Sequence, residues 1–459
     1  MIKNVISVID GEAGSCGKAK VIGEIATDKS IKLGASVTNC MPNAGHTFVD
    51  EKGTVTIFRN IPVSSVNPDT ELFIGPGSAI DMEIFEEEYE QAKKYLGDRK
   101  IFVHEMVPLI DERHKQYERE HIKSGSTFKG CGAVTQEKVI RDKKLEFFRS
   151  FKNAVVCSNN QWLERLYSHL DNPSEYVMLE GAQGCDLDLN HSGNYPFVTS
   201  RNVSTSQLLA DSGISPERLL QTIMVIRPFP IRISNITRTG DFIYTGDYGK
   251  GEELTWTQIN LASMYGSYPF KGDVECLPHN INLNRVKKLI SQCPEIYLKQ
   301  LFGNDFRNIK IADLKILQIL ELERLVYKSK GFSDYESRFL DMGMFDKDFP
   351  PNTIFDQSEQ TSVTRMERRV FDLDITKLKT NCRINTPSSL YLNFFQQLGL
   401  DYKSEIGNFD DYYFNRYLRE YLNWLENETG VEISALGTGA RNGERILKKT
   451  LVKNIQKRW

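Results

Sequence analysis

The stretch N4-V-I-S-V-I-D10-G-E-A-G14-S-C-G17-K18-A-K20-V-I-G-E-I-A26 decides the fold class. Residues 4–9 form an apolar run of strand length. A glycine-rich turn follows from Asp10 to Lys20, and residues 21–30 carry apolar side chains at helical spacing. Strand, glycine loop, helix is the opening of many phosphate-binding α/β proteins. Glycines let backbone N–H groups converge on an anion, and a helix N-terminus adds its partial positive charge. Lys18 is spaced to reach a terminal phosphate. The loop is not a regular Walker A, because Ala19 stands where Ser or Thr is expected. A glycine-rich turn with a solvated lysine fits the same residues, and this stretch alone does not separate the two.

Outward from there the texture repeats. A second strand-like run, ASVTNC, ends at the polar turn Pro42–Thr47, and further apolar runs follow in ELFIG, KIFVH, YVMLEGAQG and LLQTIMVIRPF. Strands alternating with helices predict an α/β sheet. Residues 241–357 read differently, being rich in Tyr, Phe, Asn and charge. They hold two expected helices, near 281–301 and 311–329, and an expected surface excursion at 334–353 that ends in Pro350-Pro351. The α/β texture returns at 421–446, where a helix leads to the strand VEISALG and a glycine turn.

Composition removes whole classes. The 459 residues carry 58 Lys+Arg against 61 Asp+Glu, a formal charge of −3, with 40% hydrophobic and 26% charged residues. That is an ordinary globular composition, without the basic excess of a nucleic-acid binder. No apolar stretch reaches membrane-spanning length, and the N-terminus lacks a signal-peptide layout, so a soluble cytoplasmic protein is expected. The 8 cysteines form no C-x-x-C pair and do not cluster with the 7 histidines, which predicts reduced, mostly buried thiols and no zinc site.

Four more loops could carry chemistry. N43-A-G45-H46-T47 sets an imidazole and a hydroxyl beside a glycine, where His46 could polarise a phosphate oxygen. A lone loop histidine is more often a hydrogen-bonded surface residue. S124-G-S126-T127-F-K-G-C-G132 is rich in glycine and hydroxyls, with Arg141 just beyond it. E180-G-A-Q183-G184 ends a strand-like run and leads towards Y195-P-F-V-T199. T361-S-V-T364-R365-M-E-R368-R369 clusters hydroxyls with guanidiniums, whose forks match carboxylates. An exposed Arg-rich helix end accounts for that composition equally well.

Together and in order, these motifs resemble adenylosuccinate synthetase. The resemblance touches both ends of the chain: GSCGKAK, NAGHT, STFKGCG with Arg141, EGAQG with YPFVTS, the arginine loop, and TGVEISALGTGAR. It implies an adenylosuccinate synthetase fold: P-loop-NTPase-like α/β, with a large, mixed, mostly parallel central sheet flanked by helices. It also implies one domain over 1–459 with a family-atypical insertion at 241–357. Members phosphorylate a purine O6 from a nucleoside triphosphate, and the amine of aspartate then displaces the phosphate. By the resemblance His46 helps phosphoryl transfer as a general acid, and Lys18, Ser15 and Gln183 complete the catalytic group. Asn43, Ser126, Thr127, Arg141, Gln183 and Thr199, with Ser15, fall on positions that hold the purine monophosphate. Gly14, Ser15, Cys16, Gly17, Lys18, Ala19, Lys20, Gly45, His46, Thr47, Asn393 and Gly439 fall on the triphosphate side. Thr364, Arg365 and Arg368 fall in the aspartate loop. Mg2+ is implied at Gly45 and Ser15, and a homodimer is implied because Arg141 matches an arginine that reaches the neighbouring subunit's nucleotide.

Two departures refine the expectation. The family motif G-D-E-G-K-G-K is here Gly14-Ser15-Cys16-Gly17-Lys18-Ala19-Lys20, so the aspartate that takes the purine N1 proton has become Ser15. A hydroxyl is a poor base, but a small one leaves room for a 2-amino group, as in guanine. The family's guanine-reading Thr-Lys-x-Asp is here L392-N393-F-F395, followed by Gln396 and Gln397. Guanine loses its carboxylate partner, and adenine becomes the expected donor base. Both point to the viral 2-aminoadenylosuccinate synthetases, which resemble the ordinary enzyme but join aspartate to dGMP with ATP or dATP and involve no nucleic acid or membrane partner. Two other readings stay open at this level: an ordinary enzyme using IMP and GTP, and an inactive purine-nucleotide-binding homologue.

Overall fold

The computed structural model describes residues 1–122, 127–236, 240–265, 283–303, 305–308, 316–329, 358–360 and 366–457. The expected helix at 311–329 is seen as Ile316–Ser329, while the excursion at 334–353 lies outside the described residues.

Twelve strands build the central sheet: β1 Val5–Asp10, β2 Leu33–Thr38, β3 Glu71–Ile74, β4 Ile101–His104, β5 Ser150–Phe151, β6 Ala154–Cys157, β7 Tyr176–Glu180, β8 Leu219–Ile226, β9 Ser389–Leu392, β10 Gly407–Asn408, β11 Ile433–Gly437 and β12 Arg445–Leu447. Their spatial order is β5-β6-β4-β3-β2-β7-β1-β8-β9-β11-β12-β10. Every neighbouring pair from β6 to β11 is parallel; the β5–β6 and β11–β12 pairs are antiparallel. The mostly parallel expectation is met. In a sheet covered on both faces the strands read as continuous apolar runs, as β1 and β8 do.

The two faces of β1 enter different cores. Val5 and Ile9 pack on one side, with Trp162 and Leu166 of α5 (Asn159–Leu170), Leu208 of α6 (Thr205–Asp211), Leu378 of α11 (Ile375–Asn385) and Leu425 of α12 (Arg416–Thr429). Ile6 and Val8 pack on the other, with Ile22 and Ile25 of α1 (Lys18–Ala26) and Phe85 and Leu96 of α2 (Met82–Leu96). Sequence capping is legible: Ser158 accepts from the Gln161 amide while the Gln161 side chain accepts from the Ser158 amide, a reciprocal cap that starts α5.

Between Trp256 and Ser329 the chain forms α7 (Trp256–Tyr265), α8 (Leu283–Gln292), α9 (Glu295–Phe302) and α10 (Ile316–Ser329). The single helix expected at 281–301 is two. Pro294 stands at the break, where it lacks an amide to continue α8 and pre-sets the entry to α9. Leu289, Cys293, Leu298, Leu322, Leu325 and Val326 give this segment a small core of its own. Two further helices, α3 (Glu112–His121) and α4 (Cys131–Val139), flank the 127–132 loop.

The described cysteines are all unpaired and buried, and Cys276 lies outside the described residues. Among the described residues no helix is long and apolar enough to cross a membrane.

Candidate active site

The loops with motif chemistry leave the carboxyl ends of parallel strands: 11–17 after β1, 39–47 after β2, 181–185 after β7, the segment from Arg227 after β8, 393–397 after β9, and 438–439 after β11. Ligands of open α/β sheets bind in the crevice at this edge.

The first loop is held from below by Asp10. One of its carboxylate oxygens accepts the Glu12 amide at 3.1 Å, and the other accepts the Cys16 amide at 2.9 Å. Gly14, Ser15 and Gly17 have φ of 94°, 58° and 86°, so three positions lie in the left-handed region that glycine tolerates best. Gly17 begins α1 and has no room for a side chain, because a Cβ there would strike the Asn393 amide. A Cβ at Gly184 would strike the Glu12 carbonyl and the Gly14 amide, so the first and fourth loops touch through backbone.

Lys18 is buried, with its ammonium donating to the Gln183 carbonyl at 2.6 Å and lying 3.3 Å from Asp10. Gln183 itself is left-handed, at φ 59°. His46 opens a hairpin in which His46–Val49 pairs with Val55–Phe58. Its ring is buried and its Nε2 has no hydrogen-bond partner. Burial first, and then the Lys18 charge, push the imidazole down to about 3, so it is neutral at physiological pH. A neutral, unpartnered ring beside Lys18 is ready to share a hydrogen bond with an incoming oxygen. Ser15 is exposed at the loop's mouth, whereas the Cys16 thiol points inward to Glu12 at 3.3 Å.

The purine-side residues gather less tightly. A backbone hydrogen bond from Asn43 reaches the Cys131 sulfur, which joins the second and third loops. Thr199 is fixed through its amide to the Leu187 carbonyl at 2.8 Å. Thr127 is half-buried, and Arg141 is exposed just past α4 at φ 60°. Ser126, Thr364 and Arg365 lie outside the described residues. Gly45 is half-buried, Thr47 is exposed, and Gly439 follows β11, where a Cβ would strike Glu444. Gly14 and Ala19 contribute backbone to the loop and to the first turn of α1.

Three expectations change. Lys20 does not join Lys18 at the phosphate cradle. Its ammonium is buried on Glu24 at 2.7 Å and on the Tyr391 hydroxyl at 3.0 Å, because two residues along a helix turn about 200° away from each other. Asn393 does not face a base; its amide donates to the Cys16 carbonyl at 3.0 Å and clamps the first loop. Phe395 is turned wholly into the core against Tyr402 and Phe414, at ring separations of 5.3 and 5.8 Å. The amide left near the crevice is Gln396, whose Oε1 has no partner.

A network missed by the motifs ties the site together. The Arg227 guanidinium is fully buried, lies over the Phe394 ring at 4.0 Å, donates to the Ser15 carbonyl at 3.3 Å and forks onto Glu359. Gln397 donates to the same carboxylate at 3.2 Å. Burial works against the charge on Arg227, but Glu359 outweighs it and raises the guanidinium above its ordinary value. Glu359 sits just before the arginine loop, and the Arg368 amide donates to its carbonyl at 2.8 Å. Glu12, also missed, is fully buried. Its carboxylate accepts the Arg227 amide, and burial chiefly drives it well above the usual carboxylate range. The only sequence signal for Glu12 was its place beside Asp10 in a loop already rich in glycine.

Comparison with known proteins agrees with this crevice. The family described as adenylosuccinate synthetase matches residues 8–156 and 142–242. The N6-succino-2-amino-2'-deoxyadenylate synthase of Vibrio phage phiVC8 is 33% identical over 271 residues, covering 56% of this chain and 74% of that one. The adenylosuccinate synthetase of Methanocaldococcus jannaschii is 32% identical over 234 residues, covering 49% and 65%. Among solved structures, the Cyanophage S-2L succinoaminodeoxyadenylate synthetase bound to dGMP and dATP shares the fold at a TM-score of 0.65, with 21% identity and 98% and 97% of the two chains covered. By these matches, the chain belongs to the adenylosuccinate synthetase family.

Proposed function

We propose that this protein condenses L-aspartate with dGMP at purine C6, driven by ATP or dATP, and yields 2-amino-2'-deoxyadenylosuccinate for 2-aminoadenine DNA. The observation that carries the substrate is Ser15: a small hydroxyl, exposed at the loop's mouth, where the ordinary family places a carboxylate. The phage relatives named for the same product, and the cyanophage structure with dGMP and dATP, support it.

In this reading the purine O6 attacks the γ-phosphorus, N1 gives up its proton to water, and ADP or dADP leaves. The aspartate amine then adds at C6, sheds a proton to water, and inorganic phosphate leaves. Lys18 neutralises phosphate charge, neutral His46 bonds a transferring oxygen, and Gln183 orients the 6-oxo group. Such transfers rest mostly on positioning and charge. Asn43, Thr127 and Thr199 hold the monophosphate, and Arg368 with its loop holds the aspartate carboxylates. Gln396, with an unpartnered oxygen, replaces Asn393 as the amide suited to an adenine edge.

Mg2+ fits the donor set. The Ser15 hydroxyl and the Gly45 carbonyl would hold it; among the described residues no group of three or more His, Cys, Asp or Glu could form an all-side-chain metal cage. Mg2+ suits such a site because it takes most of its ligands from phosphates and water. Bound there, it supplies charge neutralisation on the triphosphate. The proposed assembly is a homodimer with Arg141 acting across the interface, and the proposed compartment is a host cytoplasm. Exposed Val139 and Ile140 beside Arg141 support that interface.

The test is a phosphate-release matrix of dGMP, GMP and IMP against ATP, dATP and GTP with aspartate present. Turnover is expected with dGMP and an adenine donor. Turnover with IMP and GTP but none with dGMP would overturn the reading. Ser15→Asp is expected to raise the IMP rate at the expense of dGMP.

A further inference from the structure

The helices between Trp256 and Ser329 lie beyond the residues that match the family. α8, α9 and α10 share a small core of their own, while polar contacts from α10 and α7 reach Glu367 and Arg368. Arg324 of α10 is 1% exposed. Its guanidinium holds Glu321 on its own helix at 3.0 and 2.6 Å, and it donates to Glu367 at 2.7 Å. Glu321 in turn accepts the amide and hydroxyl of Thr257, at 3.1 and 2.6 Å, which locks α10 to the start of α7. Beside Thr257, the Trp256 indole N–H donates to the Arg368 carbonyl at 2.9 Å. Two contacts from the helical segment, one buried and one half-buried, therefore fall on adjacent residues, Glu367 and Arg368.

Those two residues form one arm of a hairpin-like closure. Gln360 bridges Glu367, the Arg368 amide donates to the Glu359 carbonyl, and the Arg368 side chain donates to the Gln360 carbonyl at 3.2 Å. The other arm is tied through Glu359 to Arg227 and on to the Ser15 carbonyl. The closure is gripped from both sides: by the sheet through Arg227, and by the helices through Arg324 and Trp256. Arg324 is paired with Glu321 and Glu367, and Arg227 with Glu359; a buried charge is tolerated only when it is so paired.

We propose that α7 and α10 brace the Glu367–Arg368 arm that ends the arginine loop, with Arg324 and Trp256 as positioning residues that set the geometry of Arg368. The assignment of aspartate to that loop rests on the proposed function; the bracing itself does not. Loss of the brace is expected to weaken aspartate binding while nucleotide binding holds, because the nucleotide loops hang on β1, β2 and β7.

The experiment compares the full-length protein with Arg324→Met, Arg324→Lys and Trp256→Phe. Arg324→Met is expected to raise the aspartate KM by about tenfold or more, the worth of one charge-assisted hydrogen bond, with the dGMP KM within about twofold. Arg324→Lys is expected to recover part of the loss, and amide exchange at 366–371 is expected to quicken in Arg324→Met. Trp256→Phe removes one N–H donor with little change in packing, so it decides the matter if Arg324→Met does not fold. Unchanged aspartate KM and unchanged exchange in a folded variant overturn the brace. Where wild-type protein shows no aspartate-dependent turnover, the exchange rates still decide the brace, and it is the proposed function that has failed.

Discussion

At the scale of the residue, His46 sets a pH window. Its ordinary value is 6.5 and its folded value is pushed down to about 3, by burial first and by Lys18 second. Between those values the unfolded chain holds a proton that the folded chain refuses. Stability therefore rises with pH across the window and is lost as pH falls from 6.5 towards 3, by at most about 1.4 kcal/mol per pH unit. His46→Gln removes the titrating group. Denaturant midpoints measured from pH 7 down to 4 are expected to fall less steeply in the variant than in the wild type, while turnover drops by about 100-fold or more. Parallel acid limbs would show that His46 is not the group that refuses the proton.

At the scale of the element, the hairpin that presents His46 is pinned by a carboxylate far from the motifs. Glu88 of α2 is buried and accepts the amides of Asn60 and Ile61 at 2.9 and 2.8 Å, and of Arg59 at 2.5 Å. These residues follow directly from Phe58, the strand partner of His46. Burial raises the Glu88 carboxyl to about 7, against those three donors. Glu88→Ala strands three buried N–H groups, at a cost on the order of 3 kcal/mol. It is expected to lower the thermal midpoint and reduce turnover together, with Glu88→Gln intermediate. A midpoint within a degree of wild type would sink this account of the hairpin.

The same comparison shows what was readable beforehand. β1, the glycine loop and α1 announced themselves, because a strand buried on both faces is an unbroken apolar run and left-handed turns demand glycine. Most of the ordered motifs fall on loops that leave the carboxyl ends of the parallel strands. Glu88, Arg227 and Glu359 were not readable, since each acts through partners 27 to 215 residues away and none sits in a motif. Lys20 was misplaced for a different reason. Its neighbours in sequence are loop residues, while its direction is set by the helix it starts.

At the scale of the whole molecule, Arg141 stands on the exposed surface. α4 ends there, and Val139 and Ile140 expose apolar surface beside the guanidinium, with fractional exposures of 72% and 61%. In the proposed C2 dimer every contact is repeated, so an arginine given to a neighbour's nucleotide would be matched by one received. Arg141→Ala and His46→Gln, carried on different subunits, then damage the same site of a mixed dimer and leave the other whole. In the mixed dimer, the site on the Arg141→Ala subunit keeps its own His46 and receives an intact Arg141 from its partner. The other site lacks both. Each variant alone is expected to be nearly inactive. Random reassembly of equal amounts makes half the dimers mixed, each with one whole site, so the mixture is expected to recover about a quarter of the wild-type rate. The check is turnover before and after subunits are exchanged in mild denaturant, with sedimentation confirming dimers. Recovery that stays at the sum of the two separate variants would place Arg141 in its own subunit's chemistry or in none.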